Sequence, residues 1–248
     1  MATAVITGAT AGIGAAFVPA LRDRGYDLVV VARDGDRLRR QVPDAEILAA
    51  DLSTTEGCEL AEDRLRKGVD LLVNNAGRGL NQPFDESTLD EQLGLLDLNV
   101  RSVLRLTHAA LPPMLAAGKG AILNISSVAG FSAGVRGATY SASKAWVTNF
   151  SESLDLQYRH RGIRCVAVCP GFTRTEFHDR AEMDMSGVPP RLWLTTEQVV
   201  QTALQDLDKG KSVSVAGPQY KVIVGATKLL PTAARRKASA LARRRLNR

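Results

Sequence analysis

Cysteine is scarce in this 248-residue chain, and its three copies are Cys58, Cys165 and Cys169. An odd number of cysteines cannot pair completely, and these three show neither CxxC spacing nor histidine partners. This pattern argues against a disulfide framework and against a zinc site. We therefore expect buried, reduced thiols and no bound metal ion.

Long hydrophobic runs are also missing. The first apolar run, Ala4-Val5-Ile6, has no basic residue before it and is interrupted at Gly8, which is too early for a signal peptide. No other stretch reaches the ~20 apolar residues that a membrane-spanning helix needs. The sequence therefore predicts a cytoplasmic protein, with peripheral contact to a membrane left open.

Acidic residues are absent from residues 221 to 248, which contain nine lysines and arginines. Since the whole chain carries a formal charge of +6, residues 1 to 220 sum to −3, and the basic character belongs to the C-terminal segment. Two interpretations of that segment are open: weak contact with an anionic membrane or an acyl carrier, and a solvated helix or frayed terminus. No aromatic residue follows Tyr220 among the basic ones, so we expect no nucleic-acid binding.

Apolar residues make up 45% of the chain and alternate between short β-branched runs and amphipathic stretches. This pattern is typical of repeated βαβ units, and it predicts an α/β fold with a single-domain doubly wound parallel sheet. The predicted strands are Thr3–Thr7, Asp27–Ala32, Glu46–Ala49, Leu71–Asn74, Ala121–Ser126, Arg164–Cys169 and Ser212–Val215. The predicted helices are Gly12–Arg24, Gly35–Gln41, Thr54–Lys67, Thr88–Ala117, Tyr140–His160 and Thr196–Lys209, the last with a capping box at Thr195 and Gln198.

Residues 173 to 195, which we call the lid, lack periodicity and form an unusually long predicted connection. Its apolar residues are Phe177, Met183, Met185, Val188, Trp193 and Leu194. They fit a cover over an apolar substrate and, equally, a loop packed onto the body of the protein.

Two motifs carry chemistry. Thr7-Gly8-Ala9-Thr10-Ala11-Gly12-Ile13-Gly14 follows the first strand and opens the first helix, which is the context that a dinucleotide-binding turn requires. In Tyr140-Ser141-Ala142-Ser143-Lys144, a phenol and an ammonium lie one helical turn apart, so the cation can stabilise a phenolate. The second spacing alone is also found on ordinary solvated helices.

Taken together, the motifs resemble the short-chain dehydrogenase/reductase family. The glycine spacing is similar to the family's TGxxxGxG, and Tyr140 with Lys144 matches its YxxxK. The other matching positions, in the family's order, are Asn74-Asn75-Ala76-Gly77, Asn99, Ser127 and Pro170-Gly171. The resemblance covers roughly residues 3 to 217, implies a Rossmann fold, and does not extend to the basic C-terminal segment.

The resemblance implies a catalytic set of Asn99, Ser127, Tyr140 and Lys144. In this family Tyr140 would act as the general acid in reduction, and Ser127 would donate a hydrogen bond to the substrate oxygen. Lys144 would lower the pKa of the phenol and hold the nicotinamide ribose, and Asn99 would anchor a water that resupplies protons. Family members commonly pair through the helices that carry Asn99 and Tyr140, so we expect a homodimer or homotetramer.

The end of the second strand predicts the cofactor. An acidic residue there favours NAD and an arginine favours NADP, and this chain has Ala32 followed by Arg33, so we expect NADP(H). The predicted cofactor-binding residues are Gly8, Thr10, Gly12, Ile13, Gly14, Arg33, Asp51, Leu52, Asn75, Ala76, Gly77, Tyr140, Lys144, Pro170, Gly171, Thr173 and Thr175.

The sequence thus predicts an NADPH-dependent reductase acting on the carbonyl of an apolar small-molecule or acyl substrate. Residues 1 to 217 would form the catalytic domain, including the lid, and residues 218 to 248 a basic extension. Two alternatives stay open: a regulatory protein that senses NADP without turnover, and a lipid reductase tethered to a membrane by its basic tail.

Overall fold

A single seven-stranded parallel sheet forms the centre of the computed structural model, which describes residues 2–133 and 137–229. Its strands are β1 (Ala2–Thr7), β2 (Tyr26–Ala32), β3 (Glu46–Ala49), β4 (Leu71–Asn74), β5 (Gly120–Ile125), β6 (Ile163–Val168) and β7 (Val213–Ser214). They lie in the order β3-β2-β1-β4-β5-β6-β7. The predicted doubly wound α/β fold is confirmed.

Helices cover both faces of this sheet. Their bounds are α1 (Gly12–Arg22), α2 (Gly35–Gln41), α3 (Thr55–Arg66), α4 (Leu89–Leu96), α5 (Ser102–Ala117), α6 (Ala138–Tyr158), α7 (Phe177–Arg180), α8 (Thr196–Asp208) and α9 (Pro218–Leu229). Side-chain caps begin several of them, and the predicted capping box at Thr195 and Gln198 is present at α8. Two hydrophobic clusters, one on each face, fill the space between helices and sheet.

Strand β1 pairs with β2 on one side and with β4 on the other, so the chain winds away from β1 in both directions. In sheets of this kind a crevice opens beyond the carboxyl ends of the strands where the winding reverses. The loops after β1 and β4 therefore meet at the position where the sequence places its glycine-rich and Asn75-Ala76-Gly77 motifs.

The predicted helix from Thr88 to Ala117 is interrupted, which corrects the sequence interpretation. A π-helical turn, Asp97–Arg101, separates α4 from α5, and the backbone N–H of Ser102 donates to the carbonyl of Asp97, five residues back. Such a turn inserts one residue without ending the helix, so the hydrophobic period barely changes. Similarly, α1 ends at Arg22, two residues before the predicted end.

The lid contains regular structure, although its sequence lacks periodicity. It contains α7, and a 3-10 turn, Pro190–Leu192, precedes its end. Elements this short span about one turn, so they leave no repeating pattern in a sequence. The two ends of the lid are joined, since Thr173 and Leu194 form a β-bridge and the N–H of Leu194 donates to the carbonyl of Phe172 at 2.8 Å.

Helix α9 packs against the body through Tyr220 and Val224, which are part of a core cluster. The Tyr220 hydroxyl donates to the carbonyl of Leu192 at 2.6 Å and accepts from the N–H of Phe172 at 3.0 Å. This side chain therefore fastens both ends of the lid to α9. The division of the chain after residue 217 stays a prediction, and the arginine-rich part of the basic segment lies outside the described residues.

All three cysteines are buried and unpaired. None of the helices within 2–133 and 137–229 combines the length and the apolar character needed to cross a membrane.

A buried carboxylate joins α6 to β6. Asp155 has no exposed surface, and its oxygens accept from the backbone N–H of Cys165 at 3.0 Å and from the guanidinium groups of Arg159 and Arg164 at 3.0 and 3.1 Å. Burial alone would raise the pKa of Asp155, but the Cys165 N–H and the two arginines outweigh it and lower the pKa below its usual value.

We expect Asp155→Asn to lower the free energy of unfolding by about 3 kcal/mol, because it leaves two arginines and a backbone N–H without their anionic partner. Asp208→Asn is the matched control, since its exposed pair with Arg24 should contribute less than about 1 kcal/mol. Urea denaturation of the three proteins at pH 7 measures both losses.

The stabilisation that Asp155 provides should depend on pH, because its pKa is lowered in the folded protein. A lowered pKa in the folded state means that the stabilisation is present above the unfolded pKa, near ~4, and is lost as the pH falls through the folded pKa. The gap between wild type and Asp155→Asn should therefore shrink on acidification. Equal losses for Asp155→Asn and Asp208→Asn at pH 7 would contradict the structural role given to Asp155.

Candidate active site

The turn between β1 and α1 is shaped for an anionic ligand. Gly8 and Gly12 both adopt positive φ angles, 67° and 57°, which side-chain-bearing residues rarely adopt. A Cβ on Gly14 would lie 2.3 Å from the carbonyl oxygen of Gly8, so only glycine lets α1 begin this close to the turn. Ala11, at the helix N-cap, offers no side-chain bond, which leaves the first N–H groups of α1 available.

The loop after β4 is fixed to this turn by Thr7 and Asn75. The Thr7 hydroxyl accepts from the backbone N–H groups of Asn75 and Ala76, both at 2.9 Å. In return, the Asn75 side-chain amide donates to the carbonyls of Thr7 at 2.9 Å and Gly8 at 3.1 Å. The two predicted cofactor loops are therefore one cross-linked unit.

Asn99 fixes the next part of the same loop. Its buried side chain accepts from the N–H of Arg78 at 2.9 Å and donates to the carbonyl of Arg78, also at 2.9 Å. A Cβ on Gly77 would lie 3.2 Å from Asn99 Oδ1 and 3.6 Å from Lys144 Nζ, so these groups converge on Gly77. The side chain of Asn99 thus braces the loop, and its role in a proton relay stays a prediction.

Tyr140, Lys144 and Ser127 are brought together where β5 meets α6. The Lys144 ammonium donates to the carbonyl of Ile125 at 2.8 Å and lies 5.8 Å from the centre of the Tyr140 ring. Ser127, the N-cap of a 3-10 turn, accepts from the N–H of Ala129 at 3.1 Å, and its side chain lies close enough to Tyr140 to act on the pKa of the phenol.

Burial alters the acid–base properties of both groups. Desolvation raises the pKa of Tyr140 to about 12, although the nearby Ser127 side chain acts in the opposite direction. Desolvation also lowers the pKa of Lys144 to about 8. At neutral pH the phenol therefore keeps its proton, and the neighbouring ammonium is mostly charged.

The lid covers Tyr140 with aromatic side chains. The Phe177 ring centre lies 5.8 Å from that of Tyr140. The His178 ring centre lies 5.6 Å from that of Phe177 and 5.3 Å from that of Trp193, so the four rings form one cluster. Burial lowers the pKa of His178, which favours its neutral form in this apolar setting. The apolar side chains that the sequence singles out in the lid are half-buried, except Leu194, which is buried.

The base of the lid reaches the glycine-rich turn. A Cβ on Gly12 would lie 3.0 Å from the Thr175 methyl group, and the Thr173 hydroxyl donates to the carbonyl of Gly171 at 3.0 Å. Pro170 accepts from the N–H of Val128 at 3.0 Å, which aligns the loop after β6 with the turn that carries Ser127. These predicted residues therefore lie between the glycine turn and the turn that carries Ser127.

Three predicted residues lie at the other end, beyond β2 and β3. Arg33 is exposed, Leu52 is buried in a core cluster, and Asp51 accepts from the backbone N–H of Ser53 at 2.9 Å. Burial opposes ionisation of Asp51, but the Ser53 bonds and the charge of Arg33 together lower its pKa. The predicted site residues thus form one line across the carboxyl ends of β3, β2, β1, β4, β5 and β6.

Sequence reasoning missed three contributions to this site. The Thr7 hydroxyl holds the loop after β4, Tyr220 anchors the lid, and Arg37 forms an ion pair with Glu176 of the lid at 2.9 Å. Thr7 is the first residue of the glycine-rich motif, so the motif itself could have pointed to its role. Arg37 and Glu176 are 139 residues apart in the sequence, and no local pattern connects them.

The residues present fit a dinucleotide. The glycine turn gives close backbone approach, the N-terminus of α1 supplies N–H donors for a pyrophosphate, and the absence of a side chain at Gly77 keeps the backbone close to Lys144. At the far end, Arg33 and Arg37 place positive charge beside the position of the adenosine ribose in such folds.

Known proteins are similar to this chain in sequence. A family model described as short chain dehydrogenase matches residues 2–186. The very-long-chain 3-oxoacyl-CoA reductase of Anas platyrhynchos is 34% identical over 192 residues, which are 71% of this chain and 61% of that protein.

Solved structures extend the likeness to almost the whole chain. A short-chain dehydrogenase from Sphingobium yanoikuyae, in complex with NADPH, has a TM-score of 0.83 and 34% identity, covering 99% of this chain and 94% of its own. The bulky-bulky ketone specific alcohol dehydrogenase from Comamonas testosteroni has a TM-score of 0.77 and 31% identity, covering 99% and 93%.

Proposed function

Because the chain belongs to the short-chain dehydrogenase family, which makes it a nicotinamide-dependent oxidoreductase, we propose that it is an NADPH-dependent reductase of a ketone or 3-oxoacyl carbonyl on an apolar substrate. The observation that carries this proposal is the convergence of Ser127, Tyr140 and Lys144 at the catalytic end of a crevice lined by the glycine turn.

The reaction divides between the cofactor and the chain. A bound NADPH, held by the glycine turn and Arg33, would supply the hydride for the carbonyl carbon. The Tyr140 hydroxyl gives its proton to the carbonyl oxygen, and the Ser127 hydroxyl donates a hydrogen bond to that oxygen as negative charge develops. The phenolate left on Tyr140 is stabilised by the Lys144 ammonium until a proton from solvent restores it.

The pKa values support reduction. With a pKa of about 12, Tyr140 is protonated at neutral pH and is ready to donate, whereas oxidation of an alcohol would need the phenolate first. Lys144 is the compensating charge, and since its pKa is about 8, that charge is available at pH 7 and declines in alkaline solution.

Cofactor choice is supported by the end of β2. Residue 32 is alanine, so the acid that would bind a ribose 2′-hydroxyl and repel a 2′-phosphate is absent from this position, and the exposed Arg33 can pair with the phosphate. The NADPH complex of the similar Sphingobium yanoikuyae dehydrogenase agrees with this choice. The aromatic cover over Tyr140, together with the ketone specificity of the Comamonas testosteroni enzyme, supports an apolar ketone as substrate.

We expect purified protein to oxidise NADPH faster than NADH in the presence of apolar ketones or 3-oxoacyl thioesters. Tyr140→Phe should reduce turnover about 10²- to 10⁴-fold while NADPH still binds, because only the transferred proton is lost. Tyr158→Phe, at the other end of α6, is the matched control and should keep wild-type turnover. If NADPH binds but no carbonyl across the panel is reduced, the sensor without turnover becomes the better description.

The rate of reduction should fall as the pH rises through about 8, since Lys144 then loses the charge that stabilises the Tyr140 phenolate. The measurement is kcat/KM between pH 6 and ~10 with saturating NADPH. Lys144→Arg is the informative variant, because its guanidinium stays charged over this range, so its slower reaction should lack the alkaline decline. The same decline in both proteins would assign it to another group.

A homo-oligomer is also part of the proposal. Leu89, Leu93 and Leu96 of α4 are 70%, 47% and 38% exposed at helical spacing, and Trp146 and Phe150 stack on α6 with ring centres 4.6 Å apart. Light scattering is expected to give a mass of two or four chains, and Leu93→Glu should shift it towards the monomer. A monomeric wild type at micromolar concentration would contradict this expectation.

A further inference from the structure

An ion pair connects the lid to the opposite rim of the crevice. Arg37 Nη2 of α2 lies 2.9 Å from Glu176 Oε1, which directly precedes α7 of the lid. Both side chains are partly exposed, at 33% and 48%. The backbone N–H of Arg37 donates to the N-cap Asp34 at 2.8 Å, so the base of the arginine is fixed at the start of α2.

The pair lies across the region predicted to hold the adenosine end of the cofactor. Helix α2 begins just after β2, the strand whose end faces the adenosine ribose in this fold. On the other side, Glu176 sits between Thr175, which packs over Gly12, and Phe177, which covers Tyr140. One short lid segment therefore contacts the glycine turn, the catalytic tyrosine and the arginine at the outer rim.

The charges favour an exchange of partners. The hydrogen bond from Arg37 is the largest influence that lowers the pKa of Glu176, so this carboxylate is ionised at neutral pH. Glu176 also pairs with Arg180 of α7, so it keeps a cationic partner if Arg37 leaves. Arginine binds a phosphate dianion through two parallel hydrogen bonds, whereas the ribose hydroxyl of NAD offers no charge to compete with Glu176.

We propose that Glu176 holds Arg37, and with it the lid, in the cofactor-free protein, and that the 2′-phosphate of NADP(H) takes the place of Glu176 on Arg37. Glu176 is then a specificity-determining residue, because its competition for Arg37 sets how much the 2′-phosphate adds to the affinity for NADP(H). This inference rests on the proposed use of NADP(H).

Two measurements on the full-length protein test it. Hydrogen exchange of the cofactor-free chain reports on the lid, where the N–H groups of Arg180 and Ala181 donate to the carbonyls of Glu176 and Phe177. Fluorescence titration gives the dissociation constants of NADPH and NADH without substrate. Both Glu176→Gln and Arg37→Gln should speed exchange across residues 173 to 195, since either change removes the ion pair.

The two variants should act on cofactor choice with opposite signs. Glu176→Gln is expected to raise the preference for NADPH over NADH by up to about fivefold, the worth of an exposed ion pair, and Arg37→Gln to lower it. In the double variant, Glu176→Gln should change nothing further, because Arg37, the group for which Glu176 and the 2′-phosphate compete, is gone. Asp36→Asn removes a neighbouring carboxylate, paired at 2.6 Å with Arg39, and should leave lid exchange at the wild-type rate.

Each outcome decides a separate point. Unchanged lid exchange in Glu176→Gln would overturn the role of the ion pair in holding the lid. A rise in NADPH preference that Asp36→Asn reproduces, or that persists in the Arg37→Gln background, would assign the effect to general charge and overturn the competition. Equal binding of NADPH and NADH by the wild type would overturn the proposed cofactor preference, and the displacement step with it.

Discussion

The crevice of this protein depends on the hydrogen bonds between the ends of β1 and β4. Four bonds join the two loops there: the Thr7 hydroxyl accepts from the N–H groups of Asn75 and Ala76, and the Asn75 amide donates to the carbonyls of Thr7 and Gly8. Adjacent parallel strands end side by side, but nothing in the sheet itself fixes the loops that follow them. These bonds do, and they turn two flexible connections into one rigid wall from the glycine turn to Gly77, on which Asn99 and Lys144 converge.

Buried polar side chains beneath the crevice hydrogen-bond to one another and to α6. The Asn74 amide donates to Asn124 at 2.9 Å, which in turn donates to Ser151 of α6 at 2.9 Å. Nearby, the hydroxyls of Ser126 and Thr148 both bond the carbonyl of Lys144, at 2.7 and 3.0 Å. Such a network lets α6 carry a buried ammonium at one fixed position, and the low solvation that follows is what shifts the Lys144 and Tyr140 pKa values.

The strands and most helices were predictable because their signal is local. A β-branched run such as Val29-Val30-Val31 is buried on both faces, and composition alone reveals that. The motif residues also met as expected, since parallel strands bring their carboxyl ends to one edge. What the sequence could not show were features without a period or with distant partners: the π-helical turn at Asp97–Arg101, the four-residue helix α7, and the contact between Arg37 and Glu176.

Because the Tyr220 hydroxyl fastens both ends of the lid, the position at which the C-terminus is truncated matters. Residues 221 to 248 invite shortening because of their basic composition, yet a truncation that begins within α9 would remove the part of the helix, including Val224, that holds Tyr220 against Leu192 and Phe172. Any loss of function in the resulting protein would then have a mechanical cause that is separate from the loss of positive charge. A boundary placed after Leu229, by contrast, separates the charge of the terminus from the mechanics of the lid.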